Sequence, residues 1–455
     1  VLLFITRQPD PQTIELSHIT ATGSLEDQIW FKPHADPFPM IDRFGQYRHR
    51  TWPGKTHSEA VLAEAIAVEQ RDLNAHPGPA GWDSYGGWQE GPKLEATGHF
   101  RVQKVDDRWW LVDPDGRLFW SHGIDCVRST TAYTPITDRE FYFAELPSED
   151  SPLAAFYGTG SWAPHGYYEG KGKYKTFNFT AANLYRKYGS EWSVTYSQLC
   201  HRRLRSWGLN TIGNWSDPGI YRSCKTAYVV TSNSGRQPIQ GSTGYWGKFP
   251  DPFDPDFIND TQLHMQRHVE AANSPWCVGV FVDNELAWGD ELSLAIATLS
   301  SPADQAAKRA FIRDLREKYG DIAALNATWK TTHASWDALL QSQTPPDREA
   351  AEHDLAAFST HVAEQYFRVC RQAVKAAAPN TLYLGCRFAW VHDRAVQAAA
   401  KFCDVIGYNK YRYSIADFRL PDGIDMPAIV GEFHFGALDR GMFHTGLKPT
   451  ASQAD

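Results

Sequence analysis

From about residue 118 onward, short apolar runs alternate with longer stretches in which apolar positions recur every three or four residues. The short runs are LFWSHGID (118–125), NTIGNW (210–215), AYVV (227–230), VGVFVDNE (278–285), LYLGCR (382–387), DVIGYN (404–409) and AIVGEF (428–433). Their Val, Ile and Phe content and their Gly, Pro or polar borders mark strands buried on both faces. Helical periodicity fills the intervals at 194–206, 258–272, 304–319 and 354–377. Pro302 is placed to pre-set the first turn of the third, and Pro379 follows the fourth as a stop. Strand and helix in alternation predict an α/β fold on a parallel sheet, and seven such runs point to a (β/α)8 TIM barrel.

The first part of the chain reads differently. LLFIT and TIELSHIT, parted by Pro-Asp-Pro, are strand-like, and residues 1–55 are expected to be the C-terminal part of a β-sandwich. THSEAVLAEAIAVEQRDLNAH carries a capping box, Thr56 with Glu59, and an apolar stripe through Val61, Leu62, Ala65 and Ile66. A helical linker over 56–93 follows, and the barrel occupies 94–455. HFRVQKV and RWWLVD flank Asp106-Asp107 as a hairpin, and Asp115-Gly116 turns the chain into the first barrel run. Residues 436–455 are Gly- and polar-rich with no strand run, so the barrel is expected to stop before strand eight. The chain therefore reads as a fragment of a longer product, poorly soluble and weakly active by itself.

Composition narrows the partners. With 45 basic against 53 acidic residues and a net charge of −8, there is no basic stripe, which argues against nucleic acid and favours a neutral ligand. Many of the 17 Trp, 20 Tyr and 24 Phe fall in Gly/Pro-rich segments, where amphipathic rings suit stacking on sugars. Seven scattered cysteines without a CxxC pair indicate neither a disulfide framework nor zinc. His264 and His268 in HMQRH lack the glutamate of an HExxH site and read as a solvated helix face. Asp251, Asp254 and Asp256 in FPDPFDPDF lack the Gly and Glu of a calcium loop and read as a turn with a helix N-cap. No metal or cofactor is implied, no apolar run is long enough to span a bilayer, and oligomeric state cannot be read.

Two charged residues end apolar runs: Glu285 the fourth and Glu432 the seventh. Either one also fits a helix N-terminal carboxylate or a buried ion pair. Together, with Asn284 beside Glu285, they fit catalysis. A retaining glycosidase needs one protonated carboxyl to assist the leaving group and one ionised carboxylate to attack the anomeric carbon. In a barrel, side chains at the ends of strands four and seven converge across the mouth. Tyr408 and Asn409 end strand six, so a phenol contact to Glu432 is expected. Arg387 ends strand five and could hold a carboxylate ionised. His122, Asp125, Asn214, Trp215, Trp288 and His434 sit at or beyond strand ends as candidate subsite residues.

Placement at strands four and seven resembles the clan A glycoside hydrolases, in which the acid/base follows an Asn and the nucleophile ends strand seven. The stretches WWLVDPDGRLFWSHGIDCVR, TPITDREFYFAELP, NTIGNWSD, FPDPFDP, VGVFVDNELAWG and IVGEFHFG narrow this to a resemblance to the glycoside hydrolase family 50 β-agarases, over roughly residues 95–440. The resemblance implies a carbohydrate-binding-like β-sandwich ahead of the barrel. It implies retaining hydrolysis of the β-1,4 bonds of agarose, often from the chain end to release neoagarobiose. Glu285 would then be the acid/base, Glu432 the nucleophile and Asn284 a donor to the sugar hydroxyl next to the anomeric carbon. A secreted or periplasmic bacterial setting is implied as well. The competing readings are another clan A activity, a β-galactosidase or a porphyranase, and a non-catalytic carbohydrate-binding protein.

Overall fold

The computed structural model describes residues 37–131 and 133–454. LLFIT and TIELSHIT lie outside the described residues. Seven parallel strands organise the rest: β1 (Gly123–Ile124), β2 (Thr211–Ile212), β3 (Ala227–Ser232), β4 (Cys277–Val282), β5 (Leu382–Tyr383), β6 (Ile406–Asn409) and β7 (Ala428–Glu432). The first five lie side by side in sequence order with every neighbour parallel. β6 pairs in parallel with β7, and a bridge between Phe388 and Tyr408 ties this pair to the chain leaving β5.

The strands form where the apolar runs predict, because their side chains are needed on both faces. β4 is buried along its whole length. Tyr228, Val230, Val280 and Val282 pack with Leu355, Val362, Tyr366 and Phe367 of the helix Glu352–Ala377. Ala227, Val229, Val278 and Phe281 pack instead with Leu384, Val405, Phe100 and Phe119. The second cluster takes no buried residue from a helix, so it fills the side of the sheet turned away from the helices. Alternation along β3, and along β4 with a register shift between Cys277 and Gly279, thus feeds two cores. Gly407 is required between them, since a Cβ there would stand 2.6 Å from the Leu384 carbonyl and 2.6 Å from the Phe281 ring.

The helices Trp192–Ser206, Pro255–Gln266, Ala306–Tyr319, Glu352–Ala377 and Asp393–Phe402 occupy the intervals between strands. The connection between β1 and β2 also carries a three-stranded antiparallel sheet, Tyr133–Pro135, Tyr157–Gly160 and Tyr174–Asn178. Among the described residues, no helix is long and apolar enough to cross a membrane.

Several local expectations change. LFWSHGID is not one strand: Leu118–Phe119 completes an antiparallel sheet with Arg101–Val105 and Arg108–Val112, and β1 starts only at Gly123. The hairpin itself forms as expected, with Asp106 (φ 49°) and Asp107 (φ 57°) in the left-handed turn. The helix Glu59–Ala75 is capped by Ser58, whose hydroxyl accepts from Val61 N–H, rather than by Thr56. Its packed face runs through Leu62, Ala65 and Leu73, leaving Val61 and Ile66 exposed. The stretch 258–272 breaks after Gln266, so His264 and His268 do not share one helix, and both are half-buried. Pro302 stands ahead of a helix that begins at Ala306. In FPDPFDPDF, Asp254 caps the helix at Pro255, and Asp251 Oδ2 accepts from Ala307 N–H at the start of the helix Ala306–Tyr319.

Candidate active site

At the C-terminal ends of the parallel strands the backbone leaves the strand conformation abruptly. Trp215, Asp283, Glu285 and Arg387 all take positive φ, between 51° and 63°, which a residue with a Cβ adopts only when its surroundings hold it there. Asp283 does much of the holding after β4. Its N–H donates to Ser232 O (3.0 Å), its Oδ1 accepts from Ser234 N–H (2.9 Å), and its Oδ2 accepts from the Tyr366 hydroxyl (2.7 Å). The turn so fixed presents Asn284 and Glu285 beyond the strand.

Arg387, fully buried, is the hub of the opposite side. Its Nη2 donates to Glu432 Oε1 (2.8 Å), to Asp125 Oδ2 (2.8 Å) and to Gly431 O (2.9 Å). Its Nε donates to Asn409 Oδ1 (3.2 Å), and the guanidinium lies over the Trp215 ring at 4.7 Å. Asn409 then connects the two glutamates: its Nδ2 donates to Glu285 Oε1 (2.9 Å) and to Asn284 Oδ1 (3.1 Å). Glu432 Oε2 accepts from the Tyr411 hydroxyl, and Glu285 Oε2 accepts from the Trp246 indole N–H (2.9 Å). A continuous path therefore runs from Glu285 through Asn409 and Arg387 to Glu432.

Three carboxyls share this region with one buried cation. Burial pushes Glu432 above the ordinary carboxylate range, Tyr411 and Arg387 pull it back, and the negative charges of Glu285 and Asp125 push it up again. Asp125 is likewise raised by burial against the pull of Arg387. Burial and the hydrogen bond to Glu432 raise the Tyr411 phenol, so it stays a donor. Arg387 is permanently charged, and its bond to Glu432 gives the anion a partner that cannot give up its proton.

Of the residues singled out from sequence, Glu285, Glu432, Asn284, Asn409, Arg387 and Asp125 meet in this network. Trp215 stacks on Arg387, and Asn214, next to it, is fully buried with its N–H on Asp125 Oδ1 (2.7 Å). Four expectations fail. Tyr408 does not touch Glu432; it is buried on the opposite face against Phe388 and Phe418, and Tyr411 supplies the phenol. Trp288 is fully enclosed by Phe249, Tyr366, Phe367 and Phe388 and lines no subsite. His122 precedes β1, at the end of the strand away from Glu285 and Glu432, where its Nδ1 lies 3.3 Å from Gly208 O. His434 is exposed, and its imidazole lies against Gly446 and Gly436 rather than against the carboxylates.

Tyr411 and Trp246 were missed. Tyr411 stands two residues past the end of β6, in a connection with no periodic signal. Trp246 lies in the glycine-rich loop GSTGYWGKF, and only its being an aromatic in such a segment hinted at it. Its ring stacks on Trp162 (centroids 6.0 Å apart, 22° between planes), and His165 Nε2 lies 2.8 Å from Tyr245 O. Two separate insertions thus meet over Glu285. Among the described residues, no group of three or more His, Cys, Asp and Glu could hold a metal ion, and the seven cysteines are free thiols.

No family model matches the chain. Beta-agarase B of Vibrio sp. (strain JT0107) is 36% identical to it over 455 residues, 91% of this chain and 47% of that protein. Beta-agarase A of the same organism is 35% identical, over 91% of this chain and 45% of its own length. Among solved structures, an agarase, AgWH50C, matches with a TM-score of 0.82 at 35% identity. An exo-beta-agarase matches with a TM-score of 0.85 at 32% identity, and each match covers 92% of this chain and 64% of the other. The chain spans about half the length of the beta-agarases it matches in sequence.

Proposed function

We propose that this chain, akin to the β-agarases in both sequence and fold, carries the catalytic centre of a retaining glycoside hydrolase that cleaves the β-1,4 bonds of agarose. The observation that carries the reading is the hydrogen-bonded path Glu285–Asn409–Arg387–Glu432. It links the two carboxyls, of which Glu432 keeps a guanidinium and a phenol as donors and Glu285 an amide and an indole. Glu432, held by Arg387 and Tyr411, attacks the anomeric carbon as the carboxylate. Glu285 gives its proton to the glycosidic oxygen as the bond from carbon to that oxygen breaks. In the second half, Glu285 takes a proton from water, whose oxygen displaces Glu432 from the anomeric carbon. Two inversions at one carbon give retention. Asn284 is fixed through its Oδ1 by Asn409, which leaves its Nδ2 to donate to the neighbouring sugar hydroxyl.

The finer parts belong to the same proposal. Seven parallel strands in sequence order support a (β/α)8 barrel of which residues 94–455 supply strands one to seven. Residues 56–93 serve as the helical link. Action from the chain end rests on the likeness to the solved exo-beta-agarase. A secreted or periplasmic setting fits a polysaccharide too large to enter a cell.

Separate Glu285→Gln and Glu432→Gln substitutions, assayed on neoagaro-oligosaccharides by reducing ends and by the anomer first formed, test this. Glu285→Gln is expected to lower kcat by about 10²–10⁴-fold, and Glu432→Gln to lower it further, while the unsubstituted protein releases the retained anomer. Full activity in either variant, or an inverted product, overturns the assignment. Turnover only on sulfated galactan would select the porphyranase reading, and binding without any turnover the non-catalytic one.

A further inference from the structure

Glu285 carries two hydrogen-bond donors, and they differ in how firmly they are held. Oε1 accepts from Asn409, which is 4% exposed and whose amide is tied at the same time to Arg387 and Asn284. Asn409 cannot turn without breaking all three contacts. Oε2 accepts from Trp246, which is 44% exposed and sits in a loop with Gly244 and Gly247, the latter at φ 130°. An indole N–H donates and never accepts, so it cannot face a proton carried on Oε2. Oε1 is enclosed with Asn409, whereas Oε2 and its indole partner lie on the exposed side, so a leaving-group oxygen that approaches Glu285 from solvent meets Oε2 and Trp246 first.

Resting on the glycosidase reading above, we propose that Trp246 is a positioning residue for the proton donor, and that Glu285 Oε2 is the oxygen that hands the proton to the leaving group. The substrate displaces the indole N–H. Oε2, relieved of that donor, carries the proton and faces the glycosidic oxygen. In the transfer the Oε2–H bond breaks, the proton goes to the glycosidic oxygen, and Glu285 is left as the anion that later deprotonates water. The other charged and titratable groups around this carboxyl are Glu432 and Tyr411 across the site, Arg387 behind Asn409, and His165, whose ring lies 6.0 Å from that of Trp246.

Trp246→Phe keeps the ring and removes the donor. On neoagaro-oligosaccharides the alkaline limb of its kcat/KM profile is expected to move up by about one pH unit, the size of one hydrogen bond to a charged group. An unmoved limb overturns the proposal. A second measurement needs no turnover and no change at Trp246. Oligosaccharide binding to the Glu432→Gln variant, followed by calorimetry in buffers of different ionisation heat, is expected to take up part of a proton; binding without uptake overturns the proposal. If the unsubstituted protein neither binds nor cleaves agarose fragments, the glycosidase reading fails separately. The contact is then decided by ¹³C NMR titration of the Glu285 carboxyl, which a true donor displaces in Trp246→Phe and a bystander leaves in place.

Discussion

At the scale of single residues, the site depends on which donors each carboxyl keeps. Glu432 is raised by burial and by two neighbouring negative charges, and Tyr411 is one of two groups opposing that rise. Tyr411→Phe therefore raises it further. Because the nucleophile must be ionised, the acid limb of the kcat/KM profile is expected to move up by about one pH unit, with a roughly tenfold loss below that limb and little above it. A profile measured from pH 4 to 8 checks this; an unmoved acid limb would show that the phenol is a bystander. The meeting of Glu285 and Glu432 was legible because charge at the end of an apolar run needs a reason, and Asn409 and Arg387 were legible for the same cause. Tyr408 was misplaced because period-two alternation was not applied: if Asn409 faces the site, Tyr408 must face the helices. Trp288 follows a similar rule, since the turn that presents Glu285 returns the chain to the core within three residues.

Among the elements, the helix Glu352–Ala377 does the most to cover the sheet, and its first turn is anchored by one buried carboxylate. Asp354 accepts from Lys318 Nζ (2.6 Å), the Tyr319 hydroxyl (2.7 Å) and the Trp329 indole N–H (2.7 Å), joining three helices. Asp354→Ala leaves the indole N–H buried without its acceptor and is expected to cost about 3 kcal/mol. The shift of the urea midpoint measures it, and a loss under about 1 kcal/mol would mean that water replaces the carboxylate. The strands and long helices were readable because their periods are fixed by covalent geometry. Their ends were not. Whether Ser58 or Thr56 caps a helix, or whether residues 118–125 form one strand or two, is decided by neighbours distant in sequence. His122 was placed at the wrong end of β1 for that reason.

Taken whole, the molecule closes around contacts that only the complete fold can make, and two of them involve protons or charge. Asp83 and Asp113 each spend one oxygen on backbone N–H groups, and the other oxygen of each is buried with no N–H facing it. Burial, with the Asp83 carboxyl beside it, raises Asp113 to about 7 from the usual 3.8. The folded protein keeps a proton that the unfolded chain releases, so this contribution to stability is present below about pH 4 and is lost as pH rises through about 7. Asp113→Asn is expected to flatten that part of the urea-midpoint curve between pH 5 and 8; an unchanged slope would show that Asp113 does not hold the proton. Arg387 presents the larger case of the same dependence. Its acceptors come from the ends of β1, β6 and β7, so until the last of these strands docks, a guanidinium has left water with only part of its compensation. The order of synthesis then matters: a nascent chain that has not yet delivered residues 428–432 has a reason to stay open, and the network around Arg387 is also the latch that tells the chain its folding is done.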